Sequence, residues 1–176
     1  YSWNKNKLKI VVKINFVMSS DRYLLIDAYN VIYATSDLRK LMHDNIDSAR
    51  DKLAKFAREI HDAEAVRVAL ILDSKSDKLQ VEYPYQSKRF EFIYAPIALT
   101  ADGVIERIVR RVKQPELVSV VSNDNMVREA TRSSGAMALR PEEFFDWSRA
   151  STVQLNQMAN SRSRSNNKNF ENRLRF

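Results

Sequence analysis

The chain has 176 residues, 44% hydrophobic and 10% aromatic, which is enough for one hydrophobic core and short for two. It contains no cysteine, which excludes a disulfide framework, a zinc finger and a thiol nucleophile; no apolar run approaches the roughly 20 residues of a spanning helix, so the expected location is cytoplasmic, with no membrane partner. The net charge of +7 lies at the ends, because residues 1–17 hold four lysines and no acid, residues 148–176 hold six basic residues and one acid, and the stretch between is left at −2.

Met18, before SSDRYLLID, reads as a translation start. Residues 1–17 are therefore expected to be an N-terminal extension, either an upstream segment or, from the alternation in KLKIVVKINF, an added edge strand. Tyr23 to Asp27 reads as a buried strand. Ile46 to His61 reads as an amphipathic helix, with Ile46, Ala49, Leu53, Phe56, Ala57 and Ile60 at helical spacing and Asn45 or Asp47 as cap. Val66 to Leu72 is a second strand ending at Asp73, and Phe90 to Tyr94 a third. The polar stretch 74–89, containing Tyr83, Pro84 and Tyr85, is expected to be a mobile flap. Thr100 should cap a helix reaching Lys113. A fourth strand, Leu117 to Val121, leads through Ser122, Asn123 and Asp124 into a helix over 125–133. Ala136 to Leu139 is a fifth strand, and Pro141 opens a last helix, 142–147. Beyond it the Ser, Arg and Asn-rich residues 150–176 read as a disordered basic tail, which leaves 18–149 as the body. Apolar strands alternating with helices give an α/β class, with a mostly parallel central sheet covered by helices on both faces.

In such a sheet, ligands bind at the carboxyl ends of the strands. Those ends hold Asp27 with Asn30 just after it, Asp73, Asp102 at the start of the helix after the third strand, and Asp124 after Ser122 and Asn123. Taken singly, each aspartate has a plainer role as turn residue or helix cap, Asp124 above all. Four on one rim would raise each other's pKa unless a cation neutralised them. Oxygen donors suit magnesium or manganese (Mg²⁺ or Mn²⁺) rather than zinc. An acidic metal site between basic ends suits an anionic phosphodiester, and the inference is a nuclease.

Other classes fit less well. Gly103 and Gly135 are the only glycines, which excludes the glycine-rich loops of dinucleotide and P-loop enzymes. An aspartyl-phosphate phosphatase would want an acid where Tyr29 stands, and a receiver domain would want paired acids at the first strand and a lysine at the last. His43 and His61 fall on helices away from the rim, which argues against histidine general-base chemistry. The competing class is a non-catalytic module that grips RNA or a ribosomal surface, using Arg39, Lys40, Arg50, Arg58, Arg107, Arg110 and Arg111 for charge and Tyr83 and Tyr85 for stacking. Tyr29 and Tyr33 read as packing groups.

In order and spacing, LLIDAYNVI, DSAR at Asp47 to Arg50, VALILD, LTADGVIERIV and VVSND resemble the YacP-like branch of the NYN ribonuclease family, within the PIN-like nuclease fold. The match covers about 23–147. It implies a three-layer PIN-like domain and a metal-dependent endoribonuclease that cleaves single-stranded RNA, with messenger RNA as substrate and the ribosome as a partner in mRNA decay. By position, Asp27 resembles the first metal ligand, Asp73 and Asp102 further acidic members, and Asp124 the last, with Asn30 and Ser122 as supporting residues. Beside what the resemblance implies, Asn123 is expected to support the site and Arg50, Arg107 and Arg111 to bind RNA through their charge. One departure is Gly103, which stands where relatives often carry a second acid and gives Glu106, one turn on, a supporting place.

Overall fold

The computed structural model describes residues 21–173, with side chains as far as Arg162; residues 1–17, and any strand they form, lie outside the described residues. Its elements in chain order are β1 (Tyr23–Asp27), α1 (Ala28–Ala34), α2 (Ser36–Asp44), α3 (Ile46–Glu64), β2 (Arg67–Asp73), β3 (Gln80–Glu82), β4 (Phe90–Ala95), α4 (Ala101–Val109), a 3₁₀ turn (Pro115–Leu117), β5 (Val118–Val121), α5 (Asn125–Ser133), β6 (Met137–Leu139) and α6 (Pro141–Arg173). The strands form one sheet in the order β3-β4-β2-β1-β5-β6. All neighbours are parallel except β3, which runs antiparallel to β4.

Successive strand residues point to opposite faces, and both faces are apolar because both are covered. Leu24, Ile26, Leu70, Leu72, Phe90 and Phe92 enter one core, which α1, α2, α3 and α6 close with Val31, Ile32, Leu38, Leu53, Ala57 and Phe144. Leu25, Ala69, Ile71 and Ile93 enter the other, closed by Val104, Ile105 and Ile108 of α4. The result is the three-layer α/β architecture expected from the alternation. Truncating a fully buried strand residue such as Leu70 to alanine should cost about 2–5 kcal/mol through lost burial and the cavity left behind.

Asn45 caps α3, its side chain accepting from the Ser48 amide at 3.1 Å, and Thr100 caps α4. Four segments differ from the sequence reading. The helix expected to reach Lys113 ends at Val109. Residues 28–44, for which the sequence offered no element, form α1 and α2. The stretch 74–89 is tied to the sheet: β3 pairs with β4, Tyr94 Oη donates to Glu82 at 3.1 Å, and Tyr85 packs edge-on against Phe90 with centroids 4.9 Å apart. The open edge of β4 supplies the reason, since unpaired strand groups need partners. Finally, α6 does not stop at Trp147. It continues through the segment read as a tail, although burial ends near Ser151 and Val153 and Met158 are exposed. Low hydrophobicity rules out a second core, but it does not stop an established helix from propagating through residues that lack Gly and Pro.

Candidate active site

β1 is central, and its neighbours β2 and β5 lie on opposite sides. The chain leaving β1 runs into α1 to α3 on one face, whereas α5, leaving β5, lies with α4 on the other. Connections that part in opposite directions open a crevice at the carboxyl ends of the two strands. Ile26 is in register with Val121, so the next residues, Asp27 and Ser122, face each other across it.

Asp27 is 3% exposed and Ser122 is fully buried. The Ser122 hydroxyl lies 3.2 Å from Asp27 Oδ2 and 3.3 Å from Asn30 Oδ1, two acceptors for its single proton, and it accepts from the Asp124 amide at 3.1 Å. Asn30 Oδ1 also accepts from the Asn123 amide at 2.6 Å. The serine and the two asparagines therefore lock the β5 exit loop to the start of α1 and hold Asp27 in one orientation. On its other side Asp27 meets Asp102. Burial, then the charge of Asp102, then a hydrogen bond with that carboxyl push the Asp27 pKa up to about 7, against the Ser122 hydroxyl and the Asn30 backbone N–H, which favour the ionised form.

The other two rim aspartates have additional duties. Asp73 Oδ1 accepts from the Ala101 amide at 2.7 Å, fastening the end of β2 to the first turn of α4, the turn that carries Asp102. Asp124 Oδ1 accepts from the Met126 and Val127 amides at 2.6 and 3.3 Å and so caps α5. Among the described residues, no group of three or more acids and histidines closes on a common point. The four-carboxylate cage expected from the sequence is thus drawn as a facing pair, Asp27 and Asp102, with Asp73 and Asp124 at helix N-termini beside it. Asp124, Asp102 and Glu106 share the wall of a neighbouring groove, while Glu106 pairs with Arg110 at 2.6 Å.

Of the arginines assigned to RNA, Arg50 is already occupied. It pairs with Asp47 and Asp51 at 2.9 and 2.8 Å, donates to Tyr94 Oη at 3.1 Å and lies over Phe92, so its charge is neutralised within the fold. Arg107 and Arg111, at and just beyond the end of α4, make no ion pair among the described residues. Tyr85 is covered by Arg58 at 4.4 Å and packs into the core, which removes it as a stacking platform; Tyr83 stays 38% exposed. His61 bonds the Val66 carbonyl at 2.7 Å and packs on Phe90, away from the rim.

The sequence reading missed Arg128. Its guanidinium is 3% exposed, donates to the Ser122 carbonyl at 3.0 Å and to Asn125 Oδ1, and leaves Nε without a partner. It braces the Ser122 turn from behind. An arginine on the inner side of an amphipathic helix, six residues after a strand-end serine, was the available signal.

Gly103 has a local reason: a Cβ there would lie 2.6 Å from Leu99 Cδ1, so an acid in this place requires the Leu99 side chain to move.

Comparison with solved structures finds the crystal structure of Rae1 (YacP) from Bacillus subtilis, 22% identical, with a TM-score of 0.64 and 84% of each chain covered. A second crystal structure, of a tryptophan-to-leucine mutant of the same Bacillus subtilis protein, is 21% identical, with a TM-score of 0.64 over 81% of this chain and 84% of the other. At these identities the likeness shows the fold. No curated protein matches the chain. The model of the YacP-like NYN domain matches residues 24–175, nearly the whole described body. Membership of that family carries a nuclease-like, RNA-related function, and the chain belongs to the YacP-like NYN domain family.

Proposed function

We propose that the protein is a metal-dependent endoribonuclease that cleaves single-stranded RNA at the β1/β5 crevice, with messenger RNA, including ribosome-bound messenger RNA, as its substrate. The observation that carries the reading is the buried Asp27 facing Asp102, with no basic residue among the groups that act on Asp27. A fold gains nothing from two carboxylates pressed together, whereas a Mg²⁺ or Mn²⁺ ion between them would relieve the repulsion, and their hard oxygen donors suit such an ion. Asp27 and Asp102 would hold it, with Asp124 on the adjoining wall. When bound, the ion supplies Lewis-acid activation of water and neutralises charge building on the phosphate.

The chain's own contributions follow from position. Ser122 and the Asn30 backbone favour the ionised form of Asp27. Asn30, anchored through Oδ1, offers its amide nitrogen as a donor to a phosphate oxygen. Asp73 fixes the first turn of α4 and with it Asp102. Arg107 and Arg111 supply charge for the flanking phosphates. Hydrolysis of this type leaves a 5′ phosphate and a 3′ hydroxyl.

A non-catalytic RNA- or ribosome-binding module is the second reading, favoured by the cap duties of Asp73 and Asp124. One experiment separates the two. Asp27→Asn should lower cleavage of a single-stranded RNA by at least about 100-fold while RNA binding persists, and Mn²⁺ should raise the Tm of the native chain but not that of the variant. Cleavage by the variant at the native rate removes Asp27 from the chemistry, cleavage in excess chelator removes the metal, and RNA binding without cleavage by the native chain leaves the binding module.

A further inference from the structure

The groove beside the crevice lies between α4 and α5 and has a volume of about 310 Å³. Its walls are apolar, formed by Ile105 and Val109 on one side and Val127 and Ala130 on the other; Asp102, Glu106 and Asp124 add three carboxylates, and no lysine or arginine lines it. Met126, also part of the lining, is 81% exposed.

We propose that this groove is a nucleobase subsite, which takes the base of the nucleotide next to the cleaved phosphate and prefers bases with an exocyclic amine (adenine, cytosine or guanine) over uracil. This rests on the reading of the crevice as a site that acts on RNA. Charge decides what can lie here. Glu106 is paired with Arg110 at 2.6 Å and Asp102 turns toward the crevice, but no lysine or arginine lines the groove itself to hold a phosphate, so the polyanion is kept to the crevice and to the arginine end of α4. A neutral base needs no such cation. Its faces bury against valine, isoleucine and alanine, and its amine donates to carboxylate oxygens, the same chemistry by which acidic side chains read the cytosine amine. Uracil presents O4 where cytosine presents its amine, and its single donor, N3–H, lies between two carbonyl oxygens that face the carboxylates unfavourably. The exposed thioether of Met126 suits the edge or face of an aromatic ring, and unstacked bases of single-stranded RNA are the ones free to enter such a slot. Continuity fixes which base it is: Asp102 both faces Asp27 and lines the groove, so a base held there belongs to a nucleotide adjoining the phosphate in the crevice.

The test uses the full chain with Mn²⁺ and a randomised single-stranded RNA pool, with the new 5′ ends sequenced. Uracil should be depleted about five- to tenfold at one position flanking the cut. Ala130→Trp, at an exposed groove position, should flatten that depletion to less than twofold, and Met126→Ala, which removes only an exposed side chain, should roughly halve it. In parallel, binding of the cleavage-silent Asp27→Asn chain to labelled oligocytidine and oligouridine 12-mers should show the same preference, lost when Ala130→Trp is added. Preference unchanged in both groove variants overturns the subsite. Cleavage with no base preference overturns it too, while leaving the nuclease reading intact. If no RNA is cut but the binding preference is present and is lost with Ala130→Trp, the subsite holds and the nuclease reading falls.

Discussion

Two buried carboxylates lie at opposite ends of the same sheet in opposite electrostatic settings. At the amino end Glu91, 4% exposed, faces Arg67 at 3.5 Å; burial lifts its pKa and the guanidinium pulls it back. Arg22 with Glu64 and Arg89 with Asp21 close the same end at 2.8 and 2.9 Å. At the carboxyl end Asp27 is just as buried, yet its neighbour is another acid, so burial and charge push in one direction. The fold therefore pairs the structural acid with a cation and leaves Asp27 with none acting on it, although Arg128 lies buried behind Ser122 and donates to a carbonyl and an amide oxygen there. A buried acid whose surroundings oppose its ionisation, sitting where the topology opens a crevice, is what the proposed reading of this site rests on.

The amino end should respond most to losing its cation. Arg67→Leu leaves Glu91 buried opposite an apolar group and should cost about 3–5 kcal/mol at pH 7, measured by denaturant unfolding. The pH dependence identifies the cause: protonated Glu91 needs no partner, so the loss should shrink as pH falls into the carboxyl range. Arg67→Leu with Glu91→Leu should recover most of the stability, because well-packed apolar pairs replace buried ion pairs at little cost. A loss that is independent of pH would show that packing of the arginine stem, not charge, is what the site requires.

At the carboxyl end the sign reverses, and removing the acid should stabilise. The Asp27 pKa of about 7 lies above the ordinary 3.8, so the fold favours the protonated form. That contribution is complete below the unfolded value and is lost as pH rises through about 7. In metal-free buffer, Asp27→Asn should therefore raise stability at pH 8 by about 1–3 kcal/mol, with the gain fading toward pH 4. Saturating Mn²⁺ should narrow the gap from the other side, since an ion bound only to the folded native chain adds about 2.7 kcal/mol at 100 times its Kd. An Asp27→Asn chain no more stable than the native one at pH 8 would mean that the two carboxyl groups do not press on each other.

These two ends were not equally legible in the sequence. YLLID and VALILD announce themselves, since uninterrupted apolar runs ending in an acid are what a doubly covered parallel strand looks like, and both strands lie within a residue of expectation. That Asp27 and Asp102 would meet, while Asp73 and Asp124 bond to helix amides, was not legible. It depends on how α4 seats on the sheet, a tertiary fact that strand-end position alone does not carry. Arg50 shows the same limit: its charge was visible, but its two acidic partners and Tyr94 were not, the last because it comes from 44 residues away. In α6 the composition pointed to a disordered tail beyond 150 and carried no information about propagation of a helix already nucleated by Phe144, Phe145 and Trp147 against α3, which runs to Arg173.

The finest distinction concerns Asp124, whose capping bonds alone account for an acid at that place. Asparagine caps as well as aspartate, whereas alanine forfeits the bonds to Met126 and Val127 and should cost about 1 kcal/mol. Asp124→Asn thus keeps the cap and removes only the charge, at most a few tenths of a kcal/mol of helix-dipole stabilisation. If the carboxylate also serves the crevice and the groove it lines, Asp124→Asn should leave Tm nearly unchanged and lower RNA cleavage about tenfold, the usual cost of losing a partner beside a metal site. Full activity in Asp124→Asn together with loss of stability in Asp124→Ala would assign Asp124 to the structural side of the comparison, beside Glu91, and leave Asp27 and Asp102 as the only uncompensated acids of the rim.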